Sequence, residues 1–165
     1  MKKLFKKIWP IAVGLGLAAI IIISYIFCFP GSLNPEKAVT GYIKASMKQD
    51  INQMMKFSSE YQKTVLFGNR DYTISSLKDR LKKSYDEYDT IYAESEITFI
   101  LISTVSINSD SNEYKELLSK YEEVTGNKDI SGIKEIVLKV FVDGEENRKQ
   151  TVYAVKSGIS WFYGF

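Results

Sequence analysis

Ile8 to Phe29 is a run of twenty-two residues without a charge, preceded by Lys2, Lys3, Lys6 and Lys7 and followed by a polar chain whose first acid is Glu36. A helix rising about 1.5 Å per residue would make that run roughly 33 Å long, enough to cross a hydrocarbon core of about 30 Å. Lysine is retained on the cytoplasmic side, so the run is expected to be a single-pass anchor with everything after Phe29 outside. The chain then divides into a cytoplasmic tail at 1–7, an anchor at 8–29 in contact with membrane lipid, a linker at 30–33 and an extracytoplasmic domain at 34–165. A cleaved signal peptide is the alternative, but its apolar core is about 7 to 15 residues and closes on small side chains. This run closes on Tyr25, Ile26, Phe27, Cys28 and Phe29. Cys28 has the position of a lipidation site, yet bulky Phe27 stands where that signal has a small residue. Gly14, Gly16 and Ala19 spell a dinucleotide-binding fingerprint, which requires a strand, a turn and a helix in water rather than a spanning segment.

Four of the 22 basic residues precede the anchor, which leaves 18 against 20 acids in the exported part. That balance gives no reason to expect a nucleic-acid partner. Lys78, Arg80, Lys82 and Lys83 are interleaved with Asp79 and followed by Asp86, Glu87 and Asp89, the pattern of a solvated helix side. The chain has no histidine, and its one cysteine lies in the apolar run. Ser-His-Asp and Cys-His catalysis, histidine-ligated metals and disulfide exchange are therefore excluded from the domain. No cofactor, metal site or catalytic residue is expected. Asn108, Asp110 and Asn112 alternate as in a calcium loop, but the loop's glycine and final glutamate positions hold Glu113 and Ser119, so a turn feeding a helix is expected.

The first part of the domain has helical period. Asn34 caps a helix with Pro35 at its first position, and Ala38, Val39, Tyr42, Ile43 and Met47 form its apolar stripe. Asp50 and Gln53 open a short second helix carrying Ile51, Met54, Met55 and Phe57. A third is expected over 73–88, with Ile74, Leu77, Leu81, Tyr85 and Tyr88 inward and a loop over 60–72 before it. From Ala93 to Ile107 the period changes to two. Ile97, Phe99, Leu101, Val105 and Ile107 share one face and Ile100 and Ile102 the other, which predicts a strand covered on both sides. Asp110 with Glu113 predicts a helix through Val124 that stops at Gly126. Three strands follow, turning at Asp143-Gly144 and Ser157-Gly158. The expected class is α+β, with N-terminal helices packed on a curved antiparallel sheet.

Two segments carry a family resemblance. Asn34-Pro35-Glu36-Lys37-Ala38-Val39 through Tyr42-Ile43-Lys44-Ala45, with Asp50-Ile51 and Met54-Met55-Lys56-Phe57, resembles the opening of nuclear-transport-factor-two-like (cystatin-like cone) domains of small exported bacterial proteins. Val155-Lys156-Ser157-Gly158 followed by Ile159-Ser160-Trp161-Phe162-Tyr163 is similar to their closing strand pair. The resemblance spans most of 34–165 and makes the 110–124 helix look like an insertion. It implies a cone with a pocket at its open end, walled by Tyr42, Phe57, Tyr61, Trp161 and Tyr163. It also implies a bacterial cytoplasmic membrane location, with an envelope protein or a second copy as partner. Bitopic scaffold proteins of type IV secretion machines have a similar layout. Ketosteroid-isomerase-like relatives use tyrosine and aspartate without a cofactor, so a small apolar ligand or cofactor-free isomerase chemistry is the alternative to a scaffolding role.

Overall fold

The computed structural model describes residues 30–68, 71–87 and 90–165. The predicted tail, anchor and lipid contact, and Tyr88 of the third helical stripe, lie outside the described residues. Among the described residues no helix is long and apolar enough to cross a membrane.

Helix α1 (Pro35–Met47) begins where expected, with the Asn34 side chain accepting from Lys37 N and proline in the first turn. Ala38, Val39, Tyr42, Ile43 and Met47 are buried along one side. Helix α2 (Ile51–Phe57) is capped by the Asp50 side chain, which accepts from Gln53 N at 3.0 Å. Helix α4 (Ile74–Asp86) starts at a reciprocal box in which Thr73 and Ser76 satisfy each other's backbone N–H groups. Leu77 and Leu81 are its buried contacts.

Between α2 and α4 the expected loop is instead partly helical. Helix α3 (Glu60–Phe67) is capped by Ser59, whose hydroxyl accepts from Gln62 N, and ends at Gly68 in the left-handed region. Ser59 and Gly68 were its local signals, but eight residues give too little periodicity to separate a helix from a turn.

Strands β1 (Ile97–Ser106), β2 (Gly132–Val142), β3 (Glu145–Ser157) and β4 (Ser160–Tyr163) form one antiparallel sheet in the order β1-β2-β3-β4. Helices packed against a four-stranded antiparallel sheet make the domain α+β. The β2–β3 turn has positive φ at both Asp143 and Gly144, the geometry whose twist suits a two-residue hairpin. Helix α5 (Asn112–Thr125) joins β1 to β2. Its cap is Ser111 rather than Asp110, because Asn108 folds back to accept from Asp110 N and moves the start by one residue. It stops at Gly126 as expected.

Three apolar clusters order the layers. Val39, Ile43 and Met47 of α1 meet Ile136, Leu138, Val140, Val152 and Ala154 on the inner face of the sheet. Ile136, Leu138 and Val140 are fully buried. At about 1.5–3 kcal/mol for each such side chain, this is the largest stabilising region. A second cluster joins α1, α2 and α4 through Tyr42, Ala45, Met54, Met55, Leu77 and Leu81. The third lies on the outer face, where Tyr114 and Tyr121 of α5 cover Ile133 and Val155.

That outer cover stops short of β1, which corrects the expectation of a strand buried on both faces. The register also changes within β1: Leu101 pairs with Leu138 but Ser103 with Val137, leaving Ile102 as an extra, bulged residue. Ile97, Phe99 and Leu101 therefore share the inner face with Thr104 and Ser106, while Val105 turns outward with Thr98, Ile100 and Ser103.

Candidate functional site

Of the five aromatic residues expected to wall a pocket, Tyr42 and Tyr163 are in direct contact. α1 points Tyr42 at the end of β4, where the two rings stack at 4.1 Å and 14°. Tyr42 Oη donates to Gln62 Oε1 at 3.4 Å, and Gln62 Nε2 donates to Gly164 O at 3.2 Å. Burial, with the neighbouring Tyr163 and Tyr85 hydroxyls, pushes the Tyr42 hydroxyl well above its ordinary range. Phe57 packs on the edge of the same cluster and covers Gly41, where an added Cβ would come 2.5 Å from its ring. Glycine at 41 is what lets α1 and α2 approach so closely.

Trp161 and Tyr61 stand elsewhere. Trp161 packs at the margin of the inner-face cluster, with the Lys134 and Lys156 ammonium groups 5.4 and 5.9 Å from its ring. Its backbone exchanges two hydrogen bonds with Ser32, at 2.9 and 2.7 Å. Gly31 N also donates to Lys56 O, so residues 31 and 32 of the expected linker are fastened to the domain. Tyr61 belongs to the outer-face cluster, edge-on to Phe165 at 4.8 Å and near Tyr121. The five side chains thus border three different clusters rather than one chamber.

The hollows follow the same division. One of about 290 Å³ lies between α1 and α2 under Phe57, bordered by Gly41, Ala45 and Gln53. Another, of about 340 Å³, opens beside Trp161, Gly132 and Ser106. A third, of about 100 Å³, is lined by Ser58, Ser59, Glu60, Lys63 and Tyr121.

The third hollow contains a charged constellation that the loop expectation had hidden. α3 places Glu60 and Lys63 one turn apart, and Lys63 Nζ meets Glu60 Oε1 at 3.0 Å. The Lys63 side chain is only 9% exposed, so its charge needs that partner. Tyr72 Oη donates to the other Glu60 oxygen. Burial alone would raise the Glu60 carboxyl, but the Tyr72 hydrogen bond and the Lys63 charge outweigh it and hold it below its usual range. Tyr72 is pushed up by burial and by its bond to Glu60. Burial and the Glu60 charge push Tyr121 up to about 12. At neutral pH Glu60 is ionised and both phenols are protonated, so none of the three is poised to exchange a proton. The hollow is also small beside the 300 Å³ or more typical of organic-ligand sites. These residues fix α3 against its neighbours. Among the described residues no three acidic side chains gather as metal ligands would.

The remaining unusual surface is β1. Ile100, Leu101, Ile102 and Val105 are 55%, 47%, 47% and 54% exposed on a strand that carries no charge. No protein-family model matches the chain, and no curated protein or solved structure shows significant similarity to it.

Proposed function

We propose that the chain is a single-pass, membrane-anchored binding or scaffolding protein whose nuclear-transport-factor-two-like domain, outside a bacterial cytoplasmic membrane, acts by protein contact and not by catalysis. The observation that carries this reading is a contrast. The space between α1 and the sheet is filled by the domain's own side chains, including the Tyr42–Tyr163 stack, while β1 leaves four large apolar residues in solvent. Filled interiors leave little for a substrate, and clustered apolar exposure marks contact surfaces. The fastening of Gly31 and Ser32 adds a geometric reason: a domain tied down immediately after an anchor would be held near the bilayer, favouring lateral contacts. Crosslinking in intact membranes is expected to yield oligomers or a heteromeric complex that disappear on deletion of 34–165. A strictly monomeric chain with no bound protein would overturn the reading.

The hollow under Phe57 supports a second reading, binding of a small apolar molecule, because its volume approaches that of ligand sites and its wall includes an aromatic ring. Apolar ligands would then raise the melting temperature of the wild-type chain but not of a Phe57→Ala variant. The absence of any shift across apolar ligand classes would dismiss it.

A further inference from the structure

We infer that β1 is the seam of a homodimer, in which the free edge of one copy pairs antiparallel with the same edge of a second copy, Ile97 opposite Ser106, Phe99 opposite Thr104 and Ile100 opposite Ser103. The inference rests on the protein-contact reading above and names its partner.

The two edges of the sheet are treated differently. β4 is four residues long, and its outer side is occupied by bridges from Ser32 to Trp161 and from Ser58 to Tyr163. β1 is ten residues long, pairs only with β2 among the described residues, and contains no charge, proline or glycine. Natural edges are normally blunted by such residues or by a bulge, because unpaired N–H and C=O groups recruit other strands. The single blunting device here is the bulge at Ile102.

That bulge fits a twofold axis. Before it, Ile97 and Phe99 point inward and Thr98 and Ile100 outward. After it, Thr104 and Ser106 point inward and Ser103 and Val105 outward. An antiparallel pair must set like faces opposite each other. Pairing Ile97 with Ser106, Thr98 with Val105, Phe99 with Thr104 and Ile100 with Ser103 does so at every position, with Leu101 and Ile102 on the axis. A slip of one residue in either direction would set inward Phe99 against outward Ser103 or Val105, which disfavours both of those registers.

Charge selects the same direction. In this pairing Glu96 of one copy lies opposite the uncharged Ile107 of the other, whereas a parallel, in-register pair would stack Glu96 on itself. The contact is isologous, so it closes at two copies, and the blocked β4 edges prevent further growth.

The test uses the 165-residue chain in membranes, with Cys28→Ser removing the native thiol. Copies carrying Ile100→Cys and Ser103→Cys under different tags are co-expressed and oxidised. The expected result is a disulfide-linked pair about tenfold more abundant than for the slipped combination of Ile100→Cys with Thr104→Cys. Ile100→Lys, checked for folding by circular dichroism, is expected to convert the uncrosslinked dimer to monomer in light scattering. A dimer indifferent to Ile100→Lys and without the 100–103 crosslink would overturn the inference. So would a monomer whose residues 100 and 103 crosslink to a different protein, although that outcome would leave the protein-contact reading standing. A monomer with no partner would overturn both.

Discussion

Glu60 shows how one side chain can matter more than its exposure implies. Its carboxylate is about half exposed, but the Lys63 ammonium that it neutralises is nearly buried. Glu60→Gln keeps the shape, removes the charge and leaves Lys63 without its counter-ion. A fully buried broken pair costs about 3–5 kcal/mol and an exposed one up to about 1. Discounting for solvent screening at Glu60, we expect a loss of about 1–2 kcal/mol in thermal unfolding. The pH dependence separates this from a packing defect. The folded-state pKa of Glu60 lies below its ordinary value of 4.5, so its contribution is present above that value and lost as pH falls through the folded pKa. The wild-type advantage over Glu60→Gln should hold at neutral pH and shrink in acid. An undiminished gap at low pH would mean that the variant fails for another reason. Nothing in the local sequence identifies this constellation, because Tyr72 and Tyr121 reach Glu60 only after α3 and α5 have packed.

Among the elements, boundaries set by neighbouring residues were readable and those set by distant strands were not. Asn34 with Pro35, Asp50, Gly126 and the Asp143-Gly144 turn act within a few residues, and each stands where the sequence placed it. The bulge at Ile102 depends on the register with β2, so alternation read straight through it and put Val105 on the wrong face. Burial of β1 depended likewise on whether another strand or helix would cover it. The same dependence scattered Tyr42, Phe57, Tyr61, Trp161 and Tyr163 over three clusters. The readable turn yields a prediction at this scale. Gly144 has φ +85 with nothing near a prospective Cβ, so Gly144→Ala tests backbone strain without a clash. We expect a loss of about 1–2 kcal/mol in unfolding free energy, with the fold retained. A loss below a few tenths would mean that the hairpin relaxes to another turn.

At the scale of the molecule, among the described residues, buried and half-buried phenols help to tie the layers together, and they set an upper pH limit. Tyr42 and Tyr163 stack where α1 meets β4, Tyr85 donates to Met54 Sδ between α4 and α2, and Tyr121 joins α5 to the outer face. Burial is the leading cause that raises each of these hydroxyls above the ordinary value of 10.0, and for Tyr121 it gives about 12. A raised folded-state pKa contributes stability that is fully present below the unfolded value and lost as pH rises through the folded one. The chain should therefore lose stability progressively above pH 10, with the Tyr121 share disappearing between 10 and about 12. Ultraviolet titration of tyrosinate, followed alongside circular dichroism, should show these phenols ionising only as the fold is lost. Tyr121→Phe should flatten the alkaline fall over that window while lowering neutral stability only modestly, since the ring remains and the hydroxyl goes. If all the tyrosines ionised together near 10 with the circular dichroism unchanged, the phenols would be in contact with water, and the packing of α1 and α5 on opposite faces of the sheet would have to be abandoned.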